Sequence, residues 1–184
     1  MTARSMSSVR RPSHEKVVLD TGPLLTYLAV HYLDQTEADT ARRSAVVQDV
    51  RRGSRFAKAE QERFQVLLDR SEHLLTTPHA LCEVLKLREH SVLSQDRERF
   101  CRISLKLLMD GKLKEVSCPL RELCADEAYG ELICRFGLTD AAVVYLAENE
   151  RCLLLTDDRK LYSTYTSGAV FEIRLLHEYL RSTE

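Results

Sequence analysis

The 184-residue chain has no tryptophan, only four prolines and six glycines, and almost no net charge. No apolar run approaches the roughly 18 residues that a membrane span needs, so a membrane-spanning protein is excluded. Neither C-x-x-C nor H-E-x-x-H occurs, so no local zinc site is predicted. The formal net charge of −1 excludes a uniformly basic nucleic-acid-binding protein.

The composition, with 44% hydrophobic and 30% charged residues, is typical of a soluble globular protein. The length favours one domain, at roughly 150 residues per domain. Residues 1–15 are polar, contain no apolar stretch of the kind found in a secretory signal, and are predicted to be a flexible tail. Residues 16–184 then form the single domain. The six scattered cysteines are predicted to be reduced thiols, which favours a cytoplasmic protein.

Short apolar runs alternate with amphipathic stretches along the chain. Such runs precede Pro23, Pro78 and Pro119, and proline is favoured in the first turn of a helix, so each site predicts a strand, a tight junction and a helix. A fourth junction is predicted at 152–158 and a last strand at 170–174. The runs do not alternate apolar and polar residues, which is typical of strands buried on both faces. The pattern predicts a three-layer α/β/α domain with a mostly parallel sheet.

The main helices are predicted from amphipathic spacing. They cover 22–33, 78–90, 95–109, 120–134 and a stretch that follows Thr139.

The segment 34–70 departs from this alternation, since it is highly charged and compatible with helix. We predict a helical hairpin inserted after the first helix and broken near Gly53. Residues 41–58 contain five arginines and a lysine against a single acid, Asp49. These arginines are candidate RNA contacts, although a solvated helix face is the alternative. They are Arg42, Arg43, Arg51, Arg52 and Arg55.

Acidic residues follow the predicted strands or begin the predicted helices. Asp20, Asp157 and Asp158 end apolar runs, whereas Glu83 and Asp140 lie in helices that follow such runs. Ligand sites in open parallel sheets lie beyond the carboxyl ends of the strands, so these acids are expected to converge. Crowded carboxylates repel one another unless a cation compensates them, and oxygen-only ligands suit Mg²⁺ or Mn²⁺. We therefore predict metal-dependent phosphate chemistry.

Each acid also has a simpler interpretation. Asp20 and Asp140 suit helix N-termini, where carboxylates cap amides and meet the positive end of the helix dipole. Asp157 and Asp158 suit an ordinary turn. Glu83 is harder to explain in this way, because it is the lone acid in the apolar and neutral stretch TTPHALCEVL.

Four segments together resemble the motifs of PIN-domain ribonucleases, in the order found in that family. They are LDTGPLL at 19–25, TPHALCEVLKL at 77–87, LTDAAVVYLA at 138–147 and LLLTDDRKLY at 153–162. The resemblance covers nearly the whole chain from Lys16 onward. The chain departs from compact members of the family in the 34–70 insertion, which lengthens the spacing between Asp20 and Glu83.

The resemblance implies a PIN-like fold and a metal-dependent endoribonuclease. Thr156 would orient the last acid or a water, and Asp157 takes the variable position of the family's T-x-D pattern. Arg159, from its position beside Asp158, is a candidate contact for a substrate phosphate or the partner of a nearby acid. The acids that the resemblance assigns to Mg²⁺ or Mn²⁺ are Asp20, Glu83, Asp140 and Asp158.

Many members of the family are toxins of toxin–antitoxin pairs, so the resemblance also implies a homodimer and an antitoxin partner. An RNA-processing nuclease and a non-catalytic RNA-binding or scaffold protein are the alternatives. A phosphotransferase with Asp20 as nucleophile has less support, because the second acid expected two residues later is Gly22.

Overall fold

The structure, a computed structural model, describes residues 15–35, 58–91, 96–166 and 170–181. These ranges contain five strands and nine helices. The strands are β1 (Lys16–Leu19), β2 (His73–Thr76), β3 (Leu113–Glu115), β4 (Leu153–Thr156) and β5 (Glu172–Leu175). The helices are α1 (Thr21–Gln35), α2 (Lys58–Arg70), α3 (Pro78–Ser91), α4 (Arg97–Met109), α5 (Leu120–Ala125), α6 (Glu127–Phe136), α7 (Leu138–Glu150), α8 (Arg159–Tyr165) and α9 (Leu176–Arg181).

The five strands form one parallel sheet in the order β3, β2, β1, β4, β5. β1 is central, and Val18 pairs with Leu75 on one side and with Leu154 on the other. The chain runs outward from β1 first through β2 and β3, and later through β4 and β5. The carboxyl ends of β1 and β4 therefore form the switch point at which sheets of this kind open a crevice.

The central strands are buried on both faces. Val17, Val18 and Leu19 of β1 have no exposed surface, and all four residues of β4 are buried. Helices therefore cover the sheet on both sides, and the predicted three-layer α/β/α fold with a parallel sheet is confirmed. In the described part of the chain, no helix combines the length and apolar character needed to cross a bilayer.

The three prolines within the described ranges lie at helix starts, as their local chemistry predicts. Pro78 is the first residue of α3, and the hydroxyl of Thr77 accepts a hydrogen bond of 3.2 Å from the amide of Ala80. Pro23 is the third residue of α1, and Pro119 directly precedes α5 in an extended conformation. Because proline has no amide hydrogen, each of these junctions has one N–H group fewer that needs an acceptor.

The single helix predicted over 120–134 is wrong, because two helices occupy this range. Asp126 has extended backbone angles (φ −99°, ψ 123°), so α5 ends before it. Its side chain accepts a hydrogen bond of 2.9 Å from the amide of Ala128 and caps α6. Aspartate competes with helix continuation by bonding to nearby amides, and here this local bond starts a second helix.

The second half of the predicted insertion contains α2. Phe64 and Leu68 of this helix are buried in the core. The predicted insertion begins at 34, but α1 continues through Gln35. Residues 36–57 lie outside the described residues, and they include Gly53 and the candidate RNA-contacting arginines, Arg42, Arg43, Arg51, Arg52 and Arg55.

Candidate functional site

Asp20 joins the central strand to the first helix. Its amide donates to the carbonyl of Leu155 (3.0 Å), which continues the pairing of β1 with β4, and its carbonyl accepts from the amide of Leu24 (2.8 Å), which begins α1. The side chain is only 5% exposed. Oδ1 accepts from the amide of Thr21 (2.6 Å) and Oδ2 from the hydroxyl of Thr156 (2.6 Å). The carboxylate is therefore held in one orientation at the switch point.

Burial raises the pKa of Asp20 to about 6, although the hydrogen bonds from Thr156 and Thr21 oppose that shift. The negative charges of Glu83 and Asp157 contribute to the same rise, after burial. The bond from the Thr21 amide suits a helix start, but capping alone does not explain a buried carboxylate surrounded by other acids. A nucleophilic role also fits poorly, because both oxygens of Asp20 accept hydrogen bonds and little of the side chain is exposed.

Thr156 connects the first and the last acid of the predicted set. It ends β4 and is fully buried. Its hydroxyl donates to Asp20 and accepts a hydrogen bond of 2.9 Å from the amide of Asp158. Asp158 caps α8, because its Oδ1 accepts from the amides of Lys160 (2.6 Å) and Leu161 (3.1 Å). Asp158 is thus a helix N-cap through one oxygen, and its other oxygen accepts none of these capping bonds.

Glu83 reaches the same region from α3. It is half-buried in the second turn of that helix, and its Oε2 accepts a hydrogen bond of 3.1 Å from the hydroxyl of Thr21. Thr21 therefore contacts Asp20 through its amide and Glu83 through its side chain.

Asp140 lies in the first turn of α7 and differs from the other acids. The residue that precedes the helix is Gly137, whose φ of 108° favours glycine, and no side chain caps this end. Burial, and after it the negative charges of Asp20, Asp158 and Glu83, together raise the pKa of Asp140 to about 7. Among the described residues, no side chain forms an ion pair with Asp140. Asp140 therefore does not cap the helix, although it lies in the first turn, where a carboxylate meets the positive end of the helix dipole. The charges of three acids from distant parts of the chain act on it.

Asp157 packs against the backbone of Gly22. A Cβ atom added to Gly22 would lie 2.7 Å from Oδ2 of Asp157, closer than such contacts allow. Asp157 is exposed, yet its charge raises the pKa of Asp20. It is a fifth carboxylate at the rim of the site.

The donor set fits a hard divalent cation in its chemistry. It consists of carboxylates alone, and among the described residues none of the four predicted acids has a cationic partner. In the described ranges, no three side chains of His, Cys, Asp or Glu form a ready-made group that could hold a metal ion. Mg²⁺ keeps several waters and uses few direct protein ligands, so it does not require such a group.

Two features of this region were not predicted from the sequence. Thr21 bridges two acids, and Gly22 makes room for Asp157. The available signal is the D-T-G tripeptide at a strand-to-helix junction, where a small residue and a hydroxyl follow directly after the first acid. Arg159 begins α8 beside Asp158 and is exposed, and it has no ion pair within the described part of the chain.

Comparison with the models of known protein families gave no match, and comparison with curated proteins gave no significant match. The resemblance to PIN-domain ribonucleases therefore depends on the four sequence motifs.

Proposed function

We propose that this chain is a PIN-like, metal-dependent endoribonuclease that hydrolyses RNA phosphodiester bonds. The observation that carries the proposal is the environment of Asp140. Burial and the negative charges of Asp20, Asp158 and Glu83 raise its pKa. Hydrogen bonds support the same grouping, because Thr156 bonds to Asp20 and Asp158 and Thr21 bonds to Asp20 and Glu83. Such crowding is costly to a folded protein, and a divalent cation would relieve it.

Asp20, Glu83, Asp140 and Asp158 would hold Mg²⁺ or Mn²⁺, which activates water and neutralises charge that builds up at a phosphate under attack. The chain positions these acids by different means. Thr156 and the amide of Thr21 fix Asp20, and the amides of α8 fix one oxygen of Asp158. The result is an anionic site with a rigid centre at the end of β1.

A nuclease also needs positive groups for the RNA backbone. Arg159 is exposed, lies next to Asp158 and is free of ion pairs among the described residues, so it is the first candidate to contact a phosphate. Arg42, Arg43, Arg51, Arg52 and Arg55 remain candidates from the sequence alone.

The biological setting of the proposal follows from the family resemblance. A toxin of a toxin–antitoxin pair would act in the cytoplasm, form a homodimer and be inhibited by a small antitoxin protein. An RNA-processing nuclease would use the same site without an antitoxin. A non-catalytic RNA-binding or scaffold protein would neither bind metal through these acids nor cut RNA.

The direct test is incubation of the purified protein with total RNA and Mn²⁺, followed by sequencing of 5′-phosphate ends. We expect discrete cleavage sites that disappear with EDTA. Asp140→Asn should reduce the cleavage rate on the order of 10²- to 10⁴-fold, because stabilisation of charge in the transition state is worth several kcal/mol.

Asp126→Asn is the matched control, since Asp126 is an exposed acid that caps α6 and asparagine caps equally well. It should cleave like the wild type. Equal cleavage by Asp140→Asn and the wild type would contradict the assignment. RNA binding by the wild type without any cleavage would favour the scaffold alternative.

A further inference from the structure

Thr21 makes two contacts that no other described residue combines. It is the first residue of α1 and is 9% exposed. Its amide donates to Oδ1 of Asp20 (2.6 Å), and its hydroxyl donates to Oε2 of Glu83 (3.1 Å). One side of this residue therefore belongs to the end of β1, and the other reaches the face of α3.

The hydroxyl of Thr21 is available because of its position in the helix. A threonine inside a helix commonly donates to the carbonyl four residues earlier, as Thr26 does to Gly22 (3.1 Å). The residue four positions before Thr21 is Val17, which lies in β1. The Thr21 hydroxyl thus has no helical carbonyl to bond, and it donates across the packed interface between α1 and α3.

Glu83 depends on this one bond more than Asp20 or Asp158 depends on any one of its bonds. Asp20 accepts two hydrogen bonds and Asp158 is fixed by two amides, whereas Thr21 is the single side chain in the described ranges that donates to Glu83. The charge of Glu83 also acts against those of Asp20 and Asp140. Without a donor, repulsion would favour rotation of the flexible glutamate side chain away from the site.

We infer that Thr21 is a positioning residue that holds Glu83 beside Asp20, so that both carboxylates face the same divalent cation. The inference rests on the proposed metal-dependent function and adds to it a residue with no direct part in the chemistry. Thr21 would raise the affinity for the metal by holding Glu83 in place. Thr156 acts separately, because it bonds to Asp20 and Asp158.

The test compares Thr21→Val with Thr21→Ser, since valine has nearly the shape of threonine without the hydroxyl and serine keeps the donor. Mn²⁺ binding is measured by titration calorimetry, and the Mn²⁺ concentration for half-maximal cleavage is measured in parallel. In Thr21→Val we expect the Mn²⁺ dissociation constant and the half-maximal Mn²⁺ concentration each to rise about 10- to 100-fold. This is the usual cost of losing a group that orients a metal ligand. Thr21→Ser should remain within about threefold of the wild type.

Thr26→Val is the matched control, because it removes a buried hydroxyl from the same helix that bonds only to the backbone. It should leave Mn²⁺ affinity unchanged. A double-mutant cycle with Glu83→Gln adds a second criterion: Thr21→Val should have no further effect on Mn²⁺ affinity once Glu83 has lost its charge. If Thr21→Val does not fold by circular dichroism, Thr21→Ala takes its place in the cycle.

The outcomes separate the two proposals. A wild type that neither binds Mn²⁺ nor cuts RNA overturns the proposed function, and this inference falls with it. A wild type that does both, with Thr21→Val and Thr21→Ala equal to it in Mn²⁺ affinity, overturns the role of Thr21 alone. The same result follows if Thr26→Val weakens Mn²⁺ binding as much as Thr21→Val does.

Discussion

The two edges of the sheet differ in whether their charged side chains form ion pairs. At the amino edge, Lys16 at the start of β1 pairs with Glu150 at the end of α7 (2.6 Å), and Lys112 before β3 pairs with Asp69 near the end of α2 (3.6 Å). At the carboxyl edge, none of the four predicted acids, Asp20, Glu83, Asp140 and Asp158, has a cationic partner among the described residues. Paired charges at the first edge join elements of the fold. Unpaired charges at the second edge are destabilising unless a cation binds.

The largest expected effect is stabilisation by the cation at the carboxyl edge. Mn²⁺ at about 100 times its dissociation constant should stabilise the folded protein by roughly 2.7 kcal/mol. For a domain of this size, that corresponds to a rise in melting temperature of roughly 5 to 10 °C. The rise is measured by thermal melts with and without Mn²⁺.

The two edges should respond differently to substitution in this experiment. Asp140→Asn should lose most of the rise in melting temperature, whereas Lys16→Met at the amino edge should keep it. An equal rise in Asp140→Asn and the wild type would show that Mn²⁺ binds elsewhere, and the contrast between the edges would then have no functional meaning.

A smaller effect is expected from pH in the absence of metal. The folded-state pKa values of Asp20 and Asp140, about 6 and about 7, lie above the value of 3.8 for a free aspartate. The folded protein therefore binds protons more tightly than the unfolded chain between these values. This tighter proton binding stabilises the folded protein fully below about pH 4, and the stabilisation is lost as the pH rises through 7.

Asp140→Asn isolates this contribution, because the asparagine has no charge to repel. At pH 8 in EDTA, we expect the variant to be more stable than the wild type by about 1 to 2 kcal/mol, after allowance for the solvent screening of a half-buried group. At pH 5 the difference should shrink, since Asp140 of the folded wild type is then mostly protonated. A variant less stable than the wild type at pH 8 would mean that Asp140 is paired in solution.

The same contrast explains what the sequence could predict. Strand cores such as that of β4 and the acids that follow them are local patterns, so the parallel sheet and the candidate acids follow from chain chemistry. The pairing of Lys16 with Glu150 spans 134 residues and leaves no local pattern. Thr21 looks like an ordinary residue at a helix start, and its bond to Glu83 exists only because α1 packs on α3. Asp126 breaks a helix whose amphipathic spacing continues through it, so capping outweighs periodicity there.

A small loss of stability is expected from the amino edge. Lys16→Met removes the ion pair with Glu150, in which both side chains are about one-third exposed. Exposed pairs contribute little, so the melting temperature should fall less than Asp140→Asn raises it at pH 8. Glu150→Gln should have the same effect, and the double variant should add nothing further. Thermal melts measure all three variants. If any of them changed the rise in melting temperature that Mn²⁺ causes, the two edges would not act independently.

The smallest expected effect concerns the packing of Asp157 on Gly22. In Gly22→Ala the new Cβ would lie 2.7 Å from a carboxylate oxygen at the end of the Asp157 side chain, so Asp157 must rotate away. The steric cost should roughly cancel the gain of up to about 1 kcal/mol that alanine brings to a helix. Because the Asp157 charge raises the pKa of Asp20, moving that charge away should lower this pKa. NMR titration of the Asp20 carboxyl carbon measures the change. Gly130→Ala is the control, because a Cβ there meets nothing within 4 Å, and it should simply stabilise α6. If Gly22→Ala stabilises the protein as much as Gly130→Ala does and leaves the pKa of Asp20 unchanged, Asp157 does not crowd this edge.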